Sequence, residues 1–233
     1  MKIAVLSDIH GNDYALRKVL KEIDILGVEK LLLLGDYVGY YYNVDIVLNL
    51  IKKYDKIMIK GNHELLMKQS IDDADKASQI SEKYGYGIEY AKKVLSTKQI
   101  NYLIGLPEKD KLDIAGVKIS ICHGSPWDIY EYIYPDTSED IKKRCFDSYA
   151  DFVFIGHSHY SFIYKYGKNV LVNVGSVGQN RSVGGIANWC LLDTVENKCV
   201  IKETYYDTKP LIEQIKNINP SHGYLVDVLG REI

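Results

Sequence analysis

Ile3-Ala4-Val5-Leu6-Ser7 runs straight into Asp8-Ile9-His10, and Phe152-Val153-Phe154-Ile155 runs straight into Gly156-His157-Ser158-His159. Each is a short continuous apolar run of the kind that fills a buried strand, and each ends in residues suited to metal or acid–base chemistry. Three more runs repeat the plan. Leu31 to Leu34 leads to Gly35-Asp36, Ile57-Met58-Ile59-Lys60 to Gly61-Asn62-His63-Glu64, and Ile119-Ser120-Ile121-Cys122 to His123-Gly124. Five of the six histidines fall in these segments. In open α/β sheets ligands bind beyond the carboxyl ends of the strands, so the five segments are expected to meet at one site.

The stretches between them alternate with the strands. Leu16, Val19, Leu20 and Ile23 recur at helical spacing between Asn12 and Leu26, with Gly27 as the stop, and Asn43 to Tyr54 reads as a second amphipathic helix. Strands alternating with helices predict a largely parallel, covered sheet at this end. Glu64 to Ile104 reads as helical and polar, broken near Tyr84-Gly85-Tyr86-Gly87. Leu112 to Ile114 and Val117 to Cys122 form an expected hairpin around Ala115-Gly116. A helix over Ser138 to Tyr149 follows, then strands over 152–155, 161–166, 170–174, 187–192 and 199–206, and a last helix over 208–218. No repeat or low-complexity linker divides the chain. The expectation is a single domain over residues 1–233, of α/β class, with two packed sheets and helices outside.

Composition excludes several classes. Lys and Arg number 29 against 31 Asp and Glu, a formal charge of −2, so no broad positive field marks a bulk nucleic-acid binder. No stretch approaches the roughly 20 apolar residues of a spanning helix, and the first apolar run meets a carboxylate too soon for a signal peptide. Cys122, Cys145, Cys190 and Cys199 make no C-x-x-C pair and no dense disulfide framework. A reduced, cytoplasmic chain with no membrane partner is expected.

A lone Asp-x-His is common, and a single buried histidine is more often a hydrogen-bonded core residue than a ligand. Five such elements in series, each after a strand, reverse that weighting. Imidazole and carboxylate favour Mn, Fe, Zn or Ni over Ca, and a carboxylate can bridge two ions. Two such cations attract phosphate oxyanions and activate water at neutral pH.

The series resembles the signature of the calcineurin-like metallophosphoesterases, D-x-H, G-D, G-N-H-[DE], H and G-H-x-H, from Asp8 to His159, about two thirds of the chain. The resemblance implies a four-layer α-β-β-α sandwich of two mixed sheets flanked by helices, around two divalent metal ions. It implies Asp8, His10, Asp36 and His159 on one ion and Asp36, Asn62, His123 and His157 on the other, with Asp36 bridging. Manganese is the first expectation for both, with iron, nickel or zinc as alternatives. In this family a metal-bridging hydroxide attacks phosphorus in line while the G-N-H histidine, here His63, assists the leaving oxygen as the catalytic residue.

Two departures narrow the branch. Protein phosphatases of the superfamily continue G-D with x-x-D-R-G, whereas this chain reads Gly35-Asp36-Tyr37-Val38-Gly39-Tyr40. The carboxylate that would orient His63 and the arginine that would grip phosphate are both missing there. The chain is more similar to small bacterial and archaeal phosphodiesterases. The usual N-P-G-S segment appears as Asn173-Val174-Gly175-Ser176, without its proline.

On the substrate side the candidates are Arg181 and Ser176, in the loop from Gly175 to Arg181, and Tyr40. That loop is either a phosphate or nucleotide contact or a plain connection. Tyr37 with Tyr40-Tyr41-Tyr42 is either a stacking wall or ordinary packing, and 20 tyrosines in the chain tilt toward packing. His222 reads as an exposed tail residue. The expected function is a metal-dependent phosphoesterase hydrolysing a phosphodiester, phosphomonoester or nucleotide phosphoanhydride, with the diester first. A dinucleoside polyphosphate hydrolase and a phosphomonoesterase are the alternatives. The competing class is a non-catalytic protein-binding scaffold of the same fold, against which the retention of His63 and all seven ligand positions argues. The partner expected is a small phosphorylated or nucleotide substrate; the oligomeric state, a homodimer included, is open.

Overall fold

A computed structural model describes residues 1–232. Along the chain run β1 (Lys2–Leu6), α1 (Asp13–Leu26), β2 (Lys30–Leu33), α2 (Val44–Ile51) and β3 (Lys56–Met58). Four helices follow, α3 (Asn62–Asp72), α4 (Ala74–Tyr84), α5 (Gly87–Val94) and α6 (Thr97–Gly105). Then come β4 (Lys109–Ile114), β5 (Val117–Cys122), α7 (Glu139–Arg144), β6 (Phe152–Ile155), β7 (Phe162–Tyr166), β8 (Asn169–Asn173), β9 (Ile186–Asp193) and β10 (Lys198–Tyr205). α8 (Lys209–Ile218) and α9 (Gly223–Asp227) close the chain with a 3-10 turn at Val228–Gly230.

The strands form two mixed five-stranded sheets flanked by helices, ordered β10-β9-β1-β2-β3 and β4-β5-β6-β8-β7. β1, β2 and β3 are parallel to one another, as are β5, β6 and β8; β9 pairs antiparallel with β1 and β10, β4 with β5, and β7 with β8. The period-two alternation of a strand sorts their side chains into layers. Ile3, Val5, Leu32 and Leu34 pack against Ile119, Ile121, Phe152 and Phe154 of the other sheet. Ala4, Leu6, Leu31 and Leu33 face the opposite way, under α1 through Leu16, Val19 and Ile23. Cys122, Val153 and Ile155 face a smaller outer layer that includes Cys145 and Ala150.

Two expectations about elements are corrected. α7 ends at Arg144 rather than near Tyr149, because the Asp147 carboxylate accepts from the Tyr149 and Ala150 N–H groups and holds the chain in a turn. The C-terminal segment is not a tail. Leu225, Val228 and Leu229 are buried on the helix layer, and half-buried His222 donates from Nε2 to the Glu82 carbonyl at 3.0 Å.

Candidate metal centre

The loops after β1, β2, β5 and β6 and the first turn of α3 meet across the two sheets. Asp8 N donates to Gly35 O, His10 N to Asp36 O and His157 N to the Asp8 carboxylate. The crossing is tight enough to bend the backbone out of its ordinary regions. Asp8, His10, Asp36, His157 and His159 have φ of 55°, 50°, 55°, 63° and 63°. Each such residue costs on the order of 1 kcal/mol, a strain that clusters at functional sites. Asn62 and His63 arrive differently, on the first turn of α3, where the His63 N–H donates to Asp36 Oδ1 at 2.8 Å.

All seven proposed ligands and His63 are brought together and buried. Asp8 Oδ1 lies 3.1 Å from His159 Nε2 and 3.7 Å from His10 Nε2. Asp36 Oδ2 lies 3.3 Å from His123 Nε2 and 3.7 Å from His10 Nε2. Asn62 Oδ1 is 3.0 Å from His123 Nε2. Asp8 with His10 and His159, and Asp36 with His123 and His157, are each grouped tightly enough for one ion, and Asp36 also groups with His10 and His63.

The hydrogen bonds behind these side chains decide what faces inward. His10 Nδ1 sits 2.8 Å from Val38 O, His123 Nδ1 2.8 Å from Leu34 O, and His159 Nδ1 2.6 Å from Gln179 O. A carbonyl only accepts, so each Nδ1 carries the hydrogen and Nε2 is the atom turned inward, as a bare lone pair wherever the ring is neutral. His157 is reversed: its Nε2 donates to Tyr130 O at 3.1 Å, leaving Nδ1 for the centre. His10 Nε2 and His159 Nε2 thus face each other at 3.2 Å beside Asp8 Oδ1, which has no donor of its own. Converging ring nitrogens and carboxylates are the donor set of a divalent cation, and the outer carbonyls set tautomer and orientation.

Charge follows the same pattern. Burial raises the Asp8 carboxyl, but the His159 and His123 imidazoles outweigh it and hold the group well below the usual carboxylate range. Asp36 is likewise held low, against burial, by His123 and His63. Burial keeps His10 and His159 below their ordinary value and takes His157 down to about 3 and His63 to about 4. His123 alone among these rings goes up, to about 10, because Asp36 and Asp8 overcome its burial.

The calcineurin-like phosphoesterase superfamily domain matches residues 1–197. The chain belongs to that superfamily. The uncharacterised protein MJ0912 of Methanocaldococcus jannaschii is 34% identical over 232 residues, covering 91% of each chain. The hypothetical protein PH1004 from Pyrococcus horikoshii OT3 has the same fold, with a TM-score of 0.80 at 24% identity over 99% of this chain and 98% of that one. A metallophosphoesterase from Sphaerobacter thermophilus matches at a TM-score of 0.77 and 20% identity, over 98% of both.

Within this calcineurin-like frame several residues take roles the motif string did not assign. Glu64 is fully buried, its two oxygens accepting from the N–H groups of Asp36, Tyr37, Val38 and Gly61 at 2.8–3.2 Å. It pins the Asp36 loop to α3; burial and the Asp36 charge push its carboxyl up to about 7. Gly39 fills the place near His63 where the phosphatase branch has other groups. At φ +89°, a Cβ there would stand 2.0 Å from His63 Nδ1.

The substrate-side candidates separate. Arg181 donates from Nη2 to the Tyr40 hydroxyl at 3.2 Å, and its Nε is buried without a partner. Tyr40 packs its ring edge-on to His10 at 4.6 Å and lies 4.9 Å from His63. Ser176 is corrected: fully buried, its hydroxyl donates to Asp8 O at 2.8 Å and accepts from Gln179 N at 2.7 Å, which leaves nothing for a substrate. Tyr37, Tyr41 and Tyr42 are core residues, so ordinary packing is the right reading for them.

Proposed function

We propose that the chain is a metal-dependent phosphoesterase that hydrolyses a small phosphodiester, using two divalent cations, with manganese foremost. The observation that carries this is the position of Asp36 Oδ2, 3.3 Å from His123 on one side and 3.7 Å from His10 on the other. A carboxylate oxygen so placed suits a shared ligand, with Asp8, His10 and His159 completing one position and Asn62, His123 and His157 the other. When bound, the cations supply Lewis acidity toward phosphoryl oxygens and bring the pKa of water to about 7.

The chain's own groups do the rest. His63 Nδ1 is buried and unpartnered against Gly39. An unpaired acceptor is better tolerated there than an unpaired N–H, so the proton sits on Nε2, which points toward Asp36 at 3.9 Å. A ring with Nε2 protonated is not a ligand; it is a neutral hydrogen-bond donor, placed to stabilise the charge that develops on the leaving oxygen. Arg181 Nε is a second free donor, and it takes over the phosphate grip that the missing D-R-G arginine provides in the phosphatase branch. Tyr40 beside Arg181 adds apolar wall, which suits the second ester group of a diester better than the extra charge of a monoester.

The test strips the protein of metal, restores Mn2+, and compares bis-p-nitrophenyl phosphate with p-nitrophenyl phosphate. Faster hydrolysis of the diester is the expected result. Preference for the monoester overturns the diester assignment, and silence on both with metal bound overturns the enzyme reading.

A further inference from the structure

The segment between β5 and α7 has no regular structure, yet it covers the metal centre. Its Tyr130 carbonyl fixes His157 Nε2 at 3.1 Å. Two residues on, the Tyr132 ring lies on the His157 ring, with centroids 4.0 Å apart and planes 24° apart. Two further on, Tyr134 continues parallel to Tyr132, at 5.6 Å and 6°. Alternate residues of an extended chain share a face, which is how one strand-like segment lines up its rings. Tyr160, next after His159, turns its edge to Tyr134 at 5.8 Å and 63°.

These rings are not buried in a core. Tyr132 is 44% exposed, and Tyr134 and Tyr160 are half-buried. Beyond them opens a hollow of about 440 Å³ lined by Tyr134, Pro135, Asp136 and Tyr160. That volume falls in the range of small-ligand sites. Its lining has π-faces and one carboxylate but no cation, so it suits an uncharged flat ring with N–H donors and repels a second phosphate. Arg181 and the metal ligands lie at the other end of the ladder, where a phosphate belongs.

The geometry points to a nucleobase subsite at Tyr134, Asp136 and Tyr160, which makes the substrate a nucleotidyl phosphodiester. The inference rests on the phosphodiesterase reading above. Stacking on aromatic rings tolerates every base, while the Asp136 carboxylate favours bases that present N–H groups toward it. Of the tyrosines at 37 and 40–42, weighed from the sequence as stacking wall or packing with packing favoured, Tyr37, Tyr41 and Tyr42 are core residues.

Two p-nitrophenyl diesters with the same leaving group separate the subsite from the chemistry: the ester of thymidine 5′-monophosphate and the methyl ester. The Mn2+-loaded protein is expected to favour the thymidylyl ester in kcat/KM. Tyr134→Ala is expected to cut that preference roughly tenfold, mostly through KM, and Tyr134→Phe to keep it. No preference in the wild-type protein, or a preference that Tyr134→Ala leaves intact, overturns the subsite. Loss of activity on both esters in the wild-type protein is instead a failure of the phosphodiesterase reading. Calorimetry with AMP and with ribose 5-phosphate then decides the subsite by itself. Tighter binding of AMP that is lost in Tyr134→Ala supports it, and equal binding of the two overturns it.

Discussion

His63 stands apart among the site histidines because its outer nitrogen has no partner. The rings of His10, His123, His157 and His159 are each locked by a backbone carbonyl. His63 is held instead by its surroundings, with Tyr84 at 5.1 Å, Tyr40 at 4.9 Å and His10 at 4.7 Å. Burial keeps it near a pKa of 4, so it is neutral at pH 7 and acts through a donated hydrogen bond rather than as an imidazolium. His63→Ala is therefore expected to retain its full complement of Mn2+ by elemental analysis while kcat falls about 10²- to 10³-fold, the usual loss when one transition-state hydrogen-bond donor is removed. A parallel loss of metal would show that His63 is a ligand, and an unchanged rate would remove it from the chemistry.

At the scale of elements, the loop after β8 is a buttress rather than a connection. Gly178 N and Ser176 Oγ both bond the Asp8 carbonyl, and Gln179 O holds the His159 ring. Asn12 ties this loop to α1: its Oδ1 accepts from Ala15 N at 3.1 Å, and its Nδ2 donates to Gly178 O at 2.8 Å. Asn12→Ala removes a helix cap and leaves the buried Gly178 carbonyl short of a donor, a cost of about 1–3 kcal/mol. Thermal unfolding of the metal-free variant is expected several degrees below wild type; an unchanged Tm would show that the loop holds its place without Asn12. The strand ends were legible beforehand because buried strands advertise themselves as unbroken apolar runs, and a polar residue ending each run has few bland explanations when five agree. The Glu64 anchor was not, since its four donors lie on backbone up to 28 residues away and leave no trace in residue type. The Tyr130–Tyr134 segment was missed for a similar reason. Its tyrosines alternate at 130, 132 and 134, but the segment pairs with no strand, and only its tertiary position over His157 gives that alternation meaning. The hydroxyl of Ser176 had a sequence signal for a polar loop, but which side it faced was decided by the fold.

Across the whole molecule, the site joins two sheets whose facing layers are apolar. Asp8, His10, Asp36, Asn62 and His63 come from one sheet and His123, His157 and His159 from the other. A cation held by both sets binds only the folded chain, so it stabilises the sandwich by mass action. Protons compete for that position, and His123 is where they do so. Its folded pKa, raised to about 10 by Asp36 and Asp8 against burial, lies above its ordinary value of 6.5. The proton therefore stabilises the metal-free fold fully below about pH 6.5, and that contribution is lost as pH rises through about 10. Metal displaces this proton, whereas the other site histidines, already neutral at pH 7, have none to give. Two measurements follow. Calorimetry of Mn2+ binding at pH 7 in buffers of different ionisation enthalpy is expected to show about one proton released per protein. The gap in Tm between metal-loaded and metal-free protein is expected to widen as pH is raised from 6.5 to 8.5. A gap that stays constant, with no proton released, would mean that His123 is already neutral in the metal-free fold and that the two carboxylates repel each other there with no proton between them.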